Sequence, residues 1–282
     1  MYKIIDGKEV SASVRGKIAD SVNELKAKGI TPGLAVIIVG NDPASKVYVN
    51  NKKKGCEQVG MNSFEYALEE NTTTQELLEL IDKLNKDDNV DGILCQLPVP
   101  KHIDETAVLN AISPQKDVDA FHPVNCGKLM IGSGELAPCT PAGMIEMLKY
   151  YNIDTTGKHC VIIGRSNIVG KPMAMLMLQN NATVTVCHSK TANLKEITRE
   201  ADILVAAIGK PNFVKADMVK EGAVVLDVGI NRLENGKLCG DVDFNDVCEK
   251  TSFITPVPGG VGPMTITMLL NNTLTAANRR LK

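Results

Sequence analysis

The sequence "CVIIGRSNIVGKPMAMLML" at residues 160–178 has the pattern of a buried strand, a glycine turn and a helix with an apolar stripe. Its glycines follow G-x-S-x-x-x-G, from Gly164 to Gly170, rather than the usual G-x-G-x-x-G. The turn alone is a weak signal for a dinucleotide, but a βαβ rhythm follows it in the chain. We therefore predict Gly164, Arg165 and Ser166 as cofactor-binding residues. Gly164 would let the backbone approach the phosphates, and the amides at the helix start would face them.

The end of the next strand predicts which dinucleotide binds. A NAD-binding unit usually places Asp or Glu there to hold the ribose hydroxyls. This chain has "CHSKT" at 187–191, so His188, Ser189 and Lys190 follow the strand. A carboxylate would repel a 2′-phosphate, whereas these side chains and Arg165 can donate hydrogen bonds to it. The sequence favours NADP over NAD, and the alternative is that His188 and Lys190 are solvated loop residues.

Short apolar runs alternate with longer amphipathic stretches, which is typical of α/β construction. Buried strands are predicted at 34–40, 90–98, 159–164, 182–187, 201–209 and 222–229. Helices are predicted at 72–86 and 141–151, among others. The fold class is therefore α/β, with a mainly parallel sheet in the nucleotide-binding part.

The domain organisation is predicted from a segment at 112–143 that is rich in Pro, Gly and turn-forming residues. We interpret this segment as the junction between two α/β domains. Residues 1–137 would form a catalytic domain, and residues 138–262 an NADP-binding Rossmann domain. The C-terminal helix, residues 263–282, would return to the catalytic domain.

Composition argues against several classes of protein. Of the 282 residues 44% are apolar and 23% charged, with a formal net charge of −2, as in a globular protein that binds neither nucleic acid nor an anionic membrane. No apolar run predicts a membrane span, and the N-terminal residues do not predict a secretory signal. None of the eight cysteines has the spacing of a zinc site. We expect no metal, and buried free thiols in a cytoplasmic protein.

A second candidate site lies in "GNDPASKVYVNNKKKGCEQVG", residues 40–60. On a helical wheel Lys52 shares the mostly apolar face with Tyr48, one turn earlier, whereas Lys53 lies on the opposite face and Lys54 at its margin. Two interpretations of Lys52 remain open at this point. It either snorkels, with a buried stem and a hydrated ammonium, or lines a cleft, where partial burial lowers its pKa towards that of a general acid/base.

Eight motifs are spread over nearly the whole chain. They are PASKVYVNNKKKGC (43–56), GILCQLPVP (92–100), PQKDVDAFHPVNCGKL (114–129), PCTPAG (138–143), the turn at 163–178, DVGIN (227–231), GDVDF (240–244) and TPVPGGVGPMT (255–265). In this order they resemble the family of bifunctional methylenetetrahydrofolate dehydrogenase/methenyltetrahydrofolate cyclohydrolase. The resemblance implies that hydride passes from 5,10-methylenetetrahydrofolate to NADP+, and that water then converts 5,10-methenyltetrahydrofolate to 10-formyltetrahydrofolate. It also implies a homodimer that serves one-carbon metabolism, and with it purine and amino-acid biosynthesis.

Carried over residue by residue, the resemblance makes Lys52 the acid/base of the hydrolytic step. Tyr48 would pack beside the folate, and Gln96 would hydrogen-bond Lys52 and tune it. Asp119 resembles the residue that anchors the pterin. Taken alone, Gln96 could merely close a strand end and Asp119 could merely shape a turn.

The glycine-rich run near the C-terminus is expected between the folate and the nicotinamide, with Gly262 and Pro263 as substrate-binding residues and Ile230 against the cofactor. A plain interdomain turn is the alternative for this run. The chain departs from the family pattern at Ala120, where the family usually has Gly after the second Asp of K-D-V-D. If this position takes a positive φ, Ala120 costs on the order of 1 kcal/mol.

Two rival functions differ from this interpretation. A monofunctional dehydrogenase would keep the fold without ring opening, although the retained Lys52 and Gln96 argue against it. A non-catalytic nucleotide-sensing protein would bind NADP and need no inward-facing lysine. The chain has no P-loop motif, so we do not expect the synthetase activity of longer trifunctional relatives.

Overall fold

The computed structural model describes residues 1–281, with the backbone only at 43–46. The strands are β1 Lys3–Ile4, β2 Gly33–Val39, β3 Asn62–Leu68, β4 Gly92–Cys95, β5 His159–Ile163, β6 Thr183–Cys187, β7 Ile203–Ala206, β8 Ala223–Asp227, β9 Asn231–Arg232, β10 Leu238–Cys239 and β11 Thr251–Ile254. The α-helices are α1 Gly7–Ala27, α2 Pro43–Val59, α3 Thr74–Lys86, α4 Glu105–Ala111, α5 Pro123–Met130, α6 Cys139–Tyr150, α7 Gly170–Gln179, α8 Leu194–Thr198, α9 Phe244–Val247 and α10 Val261–Asn278. These elements confirm the predicted α/β class and all six predicted strands.

The chain divides into two compact units. The nucleotide unit comprises Met1–Ala12 and Thr140–Thr265, and the lysine unit comprises Ser13–Cys139 and Ile266–Lys282. The predicted first domain, residues 1–137, differs from the lysine unit at its beginning. The first residues belong to the nucleotide unit because β1 pairs in parallel with β11.

The nucleotide unit is built on a six-stranded sheet in the order β1-β11-β8-β7-β5-β6, in which every neighbouring pair is parallel. The chain runs from β5 to β6 on one side and then returns to β7 on the other side of β5. This reversal makes the carboxyl end of β5 a topological switch point, the place where open parallel sheets bind ligands. The sheet thus places the predicted glycine turn, which follows β5, at a ligand-binding edge.

The lysine unit is built on a three-stranded parallel sheet in the order β3-β2-β4. All seven residues of β2 are buried, and side chains of α3 and α4 pack on this sheet. Gly55 of α2 faces α10 so closely that a Cβ there would lie 3.2 Å from Ile266 and 3.3 Å from Leu270. A small residue at this position therefore lets α2 and α10 pack together.

The features of the fold that were not predicted from the sequence include the edge strand β3 and the first residues of α10. The edge strand β3 alternates exposed and half-buried residues and carries Glu65, so it lacks the continuous apolar run of a buried strand. The helix α10 begins at Val261, two residues before the predicted start at 263, so Gly262 lies with Pro263 in its first turn. Pro is tolerated there because the first amides of a helix have no carbonyl partner within the helix. Within residues 1–281, no helix combines the length and the apolarity needed to cross a bilayer.

Candidate active site

The structure buries Lys52 on the inner face of α2. This face is formed by Val49, Lys52, Gly55, Cys56 and Val59. Lys52 is only 8% exposed, whereas Lys53 and Lys54 are exposed, as predicted. Tyr48 lies one turn before Lys52 on the predicted, mostly apolar face, but it is 45% exposed whereas Lys52 is buried.

The Lys52 ammonium is held by Gln96. Its Nζ donates a hydrogen bond to Gln96 Oε1 at 2.5 Å. Gln96 is itself fixed at the carboxyl end of β4, because its backbone N–H donates to Ile37 O of β2 and its side-chain Nε2 donates to Leu97 O. A snorkelling lysine would point its ammonium into water, so the structure favours the interpretation of an inward-facing lysine.

The surroundings of Lys52 push it towards the neutral amine. Burial lowers the pKa of Lys52, and the negative charge of Asp119 only partly opposes this shift. Burial also raises the pKa of the Asp119 carboxyl group to about 6, again against the opposing charge of Lys52. Both groups are thus displaced towards their uncharged forms, a condition under which protons move readily near neutral pH.

Asp119 is surrounded by two residues that the sequence reasoning did not single out. The thiol of Cys139 lies 3.7 Å from Asp119 Oδ1 and donates to it. Asn272 of α10 is buried, and its side-chain amide donates to Val118 O at 2.8 Å and to Ala137 O at 2.9 Å. Asn272 thereby fixes the backbone just before Asp119 and just before Cys139. A signal for Cys139 was present in the PCTPAG motif, whereas Asn272 stands in an ordinary helical pattern.

The loop around Asp119 contains Ala120, for which the sequence predicts strain if its φ is positive. Ala120 has φ of 59°, the left-handed region that glycine adopts without cost. The preceding acid, Asp117, is buried and braces this turn, since its carboxylate accepts from the His122 backbone N–H and from Asn125 Nδ2, each at 2.8 Å. Asp119 therefore sits on a turn that is fixed in spite of its unfavourable backbone angle.

The glycine turn after β5 leaves no room for a side chain. Gly164 has φ of 127°, and a Cβ there would lie 2.2 Å from Ala207 O. A Cβ at Gly170 would lie 2.1 Å from Gly164 O. Ser166 closes the turn, because its Oγ accepts the Val169 amide at 3.1 Å. Arg165 and Ser166 are exposed beside this turn.

The loop after β6 lies beside the glycine turn. Ile163 at the end of β5 is in register with Cys187 at the end of β6, and Gly164 N donates to Cys187 O at 2.9 Å. His188 follows directly and is half-buried, while Ser189 and Lys190 are exposed. The structure thus brings the two predicted groups of cofactor-binding residues to one edge of the sheet. Neither the loop at 188–191 nor the turn at 164–169 contains Asp or Glu.

Ile230 and Gly262 meet within the nucleotide unit. Ile230 is 50% exposed, and a Cβ on Gly262 would lie 3.6 Å from its Cδ1. The loop of Ile230 depends on two buried acids, Asp227 and Asp241, to which the sequence reasoning assigned no role. The motifs DVGIN and GDVDF contain these acids, but their role as acceptors for backbone amides is visible only in the structure.

Comparison with known proteins identifies the family. The model of the tetrahydrofolate dehydrogenase/cyclohydrolase catalytic domain matches residues 5–119, and that of the corresponding NAD(P)-binding domain matches residues 138–281. The chain belongs to the tetrahydrofolate dehydrogenase/cyclohydrolase family. This membership confirms the predicted family and its enzyme class, including the use of an NAD(P) cofactor.

Relatives and solved structures of this family match the chain over nearly its full length. The bifunctional protein FolD of Acetivibrio thermocellus is 64% identical over 280 residues, which are 99% of this chain and 98% of that protein. The crystal structure of the bifunctional enzyme FolD from Campylobacter jejuni is 53% identical, covers 99% of this chain and 100% of its own, and superposes with a TM-score of 0.98. A Trypanosoma brucei FolD structure, complexed with NADP cofactor and an inhibitor, has a TM-score of 0.95 at 38% identity and covers 100% of this chain and 99% of its own.

The strained Ala120 yields a stability prediction. Ala120→Gly should raise the free energy of unfolding by about 1 kcal/mol, because glycine adopts a positive φ without steric cost. Chemical denaturation with urea measures the change. The matched control is Ala12→Gly, an exposed position inside the 21-residue α1, which should lower stability by about 1 kcal/mol, since glycine disfavours a helix interior. A destabilised Ala120→Gly protein would contradict the assignment of strain to this residue.

Proposed function

We propose that Lys52 is the acid/base of a cyclohydrolase, in an enzyme that first oxidises 5,10-methylenetetrahydrofolate and then hydrolyses the product. The observation that supports this role is the buried Lys52 ammonium, whose hydrogen bond goes to the neutral carboxamide of Gln96. A neutral partner orients the lysine without adding the charge that would hold it permanently protonated. This distinguishes it from a lysine in a buried ion pair.

The hydrolytic step follows from a lysine that can exist as a neutral amine. Water adds to the methenyl carbon of the substrate cation, and Lys52 takes the proton that the attacking water loses. The ring then opens as the bond between this carbon and one nitrogen breaks, and the Lys52 ammonium returns a proton to that nitrogen. The hydroxyl of the adduct becomes the formyl carbonyl and loses its proton, which is the one released. The sum is one substrate cation and one water giving 10-formyltetrahydrofolate and one released proton. A permanently charged ammonium would repel the cation, so a lowered pKa serves both binding and chemistry.

Asp119 and Tyr48 are the proposed folate-binding residues of the lysine unit. The carboxylate of Asp119 can accept hydrogen bonds. It lies close enough to Lys52 for the charge of each side chain to shift the pKa of the other side chain. The amino and ring N–H groups of a pterin are suitable donors to such a carboxylate. Tyr48 offers an exposed ring one turn from Lys52 on which a planar substrate can stack. In the nucleotide unit we assign substrate contacts to Gly262 and Pro263.

NADP is the proposed cofactor, and when bound it accepts the hydride. The chain fits this group through the close backbone approach at Gly164 and through the amides of the turn that Ser166 closes. Arg165, His188 and Ser189 supply donors for a 2′-phosphate at the same edge of the sheet. Ile230 presents an exposed apolar side chain beside Gly262, which suits contact with the nicotinamide.

A monofunctional dehydrogenase is the second candidate. It would need the nucleotide edge but not the hydrogen bond between Lys52 and Gln96, which is formed here. Relatives described as bifunctional, at 64% and 60% identity, also support both activities.

The first prediction on function concerns Lys52→Met. This substitution should lower the rate of methenyltetrahydrofolate hydrolysis, measured without NADP+, by about 100-fold or more, since general acid/base catalysis contributes this much. Binding of NADP+ should be unchanged. Lys53→Met is the matched control on the exposed face of the same helix and should hydrolyse like the wild type. Equal hydrolysis by the wild type and Lys52→Met would remove Lys52 from the mechanism.

We propose a homodimer in which the edge strand β3 takes part. Its outer edge has no strand partner within residues 1–281, and an open strand edge is a template for pairing with another chain. The Asn62 N–H donates towards β2, to Pro32 O, so by alternation the N–H of the exposed Ala67 points to the outer edge.

Light scattering after gel filtration tests this assembly. The wild type should have twice the mass of the 30.3 kDa chain, and Ala67→Pro should shift the equilibrium towards the monomer because it removes an outward N–H. Ala67→Ser keeps that N–H and should remain dimeric. A monomeric wild type would contradict the dimer, and a fully dimeric Ala67→Pro protein would exclude this edge.

We also propose that the protein resides in the cytoplasm. All eight cysteines are free thiols, and six of them are buried. Buried reduced thiols suit a reducing compartment.

A further inference from the structure

The nucleotide unit contains a buried carboxylate, Asp241, that the proposed mechanism does not use. Asp241 is 0% exposed. Its Oδ2 accepts the backbone N–H groups of Ile208 at 2.7 Å and Gly209 at 2.9 Å. Its Oδ1 accepts the Lys210 N–H at 2.8 Å and Asn231 Nδ2 at 2.9 Å. Four donors thus compensate the loss of hydration that burial imposes on this charge.

The four donors come from two separate segments of the chain. Three are consecutive amides of the loop that follows β7, and the fourth is the side chain of Asn231, the first residue of β9 and the neighbour of Ile230. Contact with the second segment is so close that a Cβ on Gly229 would lie 2.3 Å from Asp241 Oδ1. The carboxylate therefore ties the loop after β7 to the loop that presents Ile230.

A second buried acid holds Asp241 in place. Asp227 accepts the backbone N–H groups of Gly229 at 3.0 Å, Asp241 at 2.9 Å and Val242 at 2.9 Å. A Cβ at Gly240 would lie 1.7 Å from Asp227 Oδ2, so only glycine fits there. Burial raises the pKa of Asp227 to about 6, although these three donors oppose the shift. The two acids form a single framework with the glycines of DVGIN and GDVDF.

This framework borders the glycine turn that we assign to the cofactor. The loop after β7 begins with Ala207, whose N–H donates to Ile163 O of β5 at 2.8 Å. Its carbonyl oxygen is the atom that would lie 2.2 Å from a Cβ on Gly164. The loop that Asp241 fixes is therefore the wall against which the Gly164 turn is packed, at the switch point of the sheet.

We propose that Asp241 is a positioning residue for the dinucleotide, acting through Ile230 and through the loop at 207–210. The inference rests on the proposed function, since it requires a cofactor at the Gly164 turn and at Ile230. It assigns Asp241 no contact with substrate or cofactor. The carboxylate instead fixes two walls of the cofactor site that belong to different segments of the chain. An acid is needed at this position, because only a side chain with two acceptor oxygens satisfies all four donors.

Asp241→Asn in the full-length enzyme tests the proposal. An asparagine has the same shape but replaces one acceptor oxygen with an amide that faces donors, so the loops lose their common anchor. We expect the KM for NADP+ in methylenetetrahydrofolate oxidation, and the Kd for NADPH from its fluorescence, to rise about tenfold or more. Hydrolysis of methenyltetrahydrofolate without NADP+ should stay within about twofold of the wild type, since the lysine unit is untouched.

Asp243→Asn is the matched control. Asp243 lies two residues further along and caps α9, and its hydrogen bonds go to Val214, Lys215 and α9 rather than to residues 207–210 or to Asn231. The Asp243→Asn substitution should lower the midpoint of thermal unfolding without raising the KM for NADP+. Asn231→Ala removes only one of the four donors and should raise this KM by a few-fold, which keeps the test decisive if Asp241→Asn does not fold.

Three outcomes overturn the inference. They are an unchanged KM for NADP+ in a folded Asp241→Asn protein, an equal loss of both activities in that protein, and, if that protein does not fold, an unchanged KM in Asn231→Ala. Failure of the proposed function is distinguishable from these outcomes. In that case the wild type itself would show no NADP+-dependent oxidation.

Discussion

The chemistry depends on one hydrogen bond, from the buried ammonium of Lys52 to the carboxamide of Gln96. Burial alone would leave a charged lysine without compensation, and an acid in the place of Gln96 would keep it charged. A neutral acceptor at the end of β4 resolves this conflict, because it orients the amine while burial lowers its pKa. Gly55, on the same buried face of α2 as Lys52, lets this helix pack closely against α10.

The two units use different physical means to fix their sites. In the lysine unit, buried side chains of low charge hold the reactive group, and Asn272 and Asp117 brace the loop that carries Asp119. In the nucleotide unit, the backbone itself forms the site. Glycine is required at positions where this backbone lies against a carbonyl or a carboxylate oxygen. Gly164 meets Ala207 O in this way, and Gly229 meets Asp241. The site of the lysine unit therefore depends on buried side chains, and that of the nucleotide unit depends on positions where the backbone leaves no space for a Cβ.

Local sequence patterns were sufficient for most of the fold. Continuous apolar runs identified the buried strands of both sheets, because parallel strands are covered on both faces. The edge strand β3 has no such run, since one of its sides is exposed, and it was missed. Helical periodicity placed Lys52 and Tyr48 on one mostly apolar face, but it left open whether Lys52 snorkels or points inward, and the structure buries Lys52 while it leaves Tyr48 45% exposed.

Roles that depend on distant partners could not be predicted. Asp241 and the amides of 208–210 are about thirty residues apart, and Asn272 is 154 residues from Val118. No local pattern encodes such pairs. The positive φ of Ala120 was inferred from a departure from the family pattern, and the structure confirmed it. The family was identified from the order of the motifs along the chain. The contacts that explain the individual residues of those motifs are visible only in the folded chain.

The most direct test of the account is the pKa of Lys52 itself. Nuclear magnetic resonance of 15N-labelled lysine side chains, assigned by comparison with Lys52→Met, measures this pKa in the free enzyme. A lysine buried beside Gln96 should have a pKa below the roughly 10.4 of an unperturbed lysine, and replacing Gln96 by Glu should raise this pKa. A Lys52 that titrates at the unperturbed value, and does not respond to Gln96→Glu, would contradict a buried lysine poised for proton transfer.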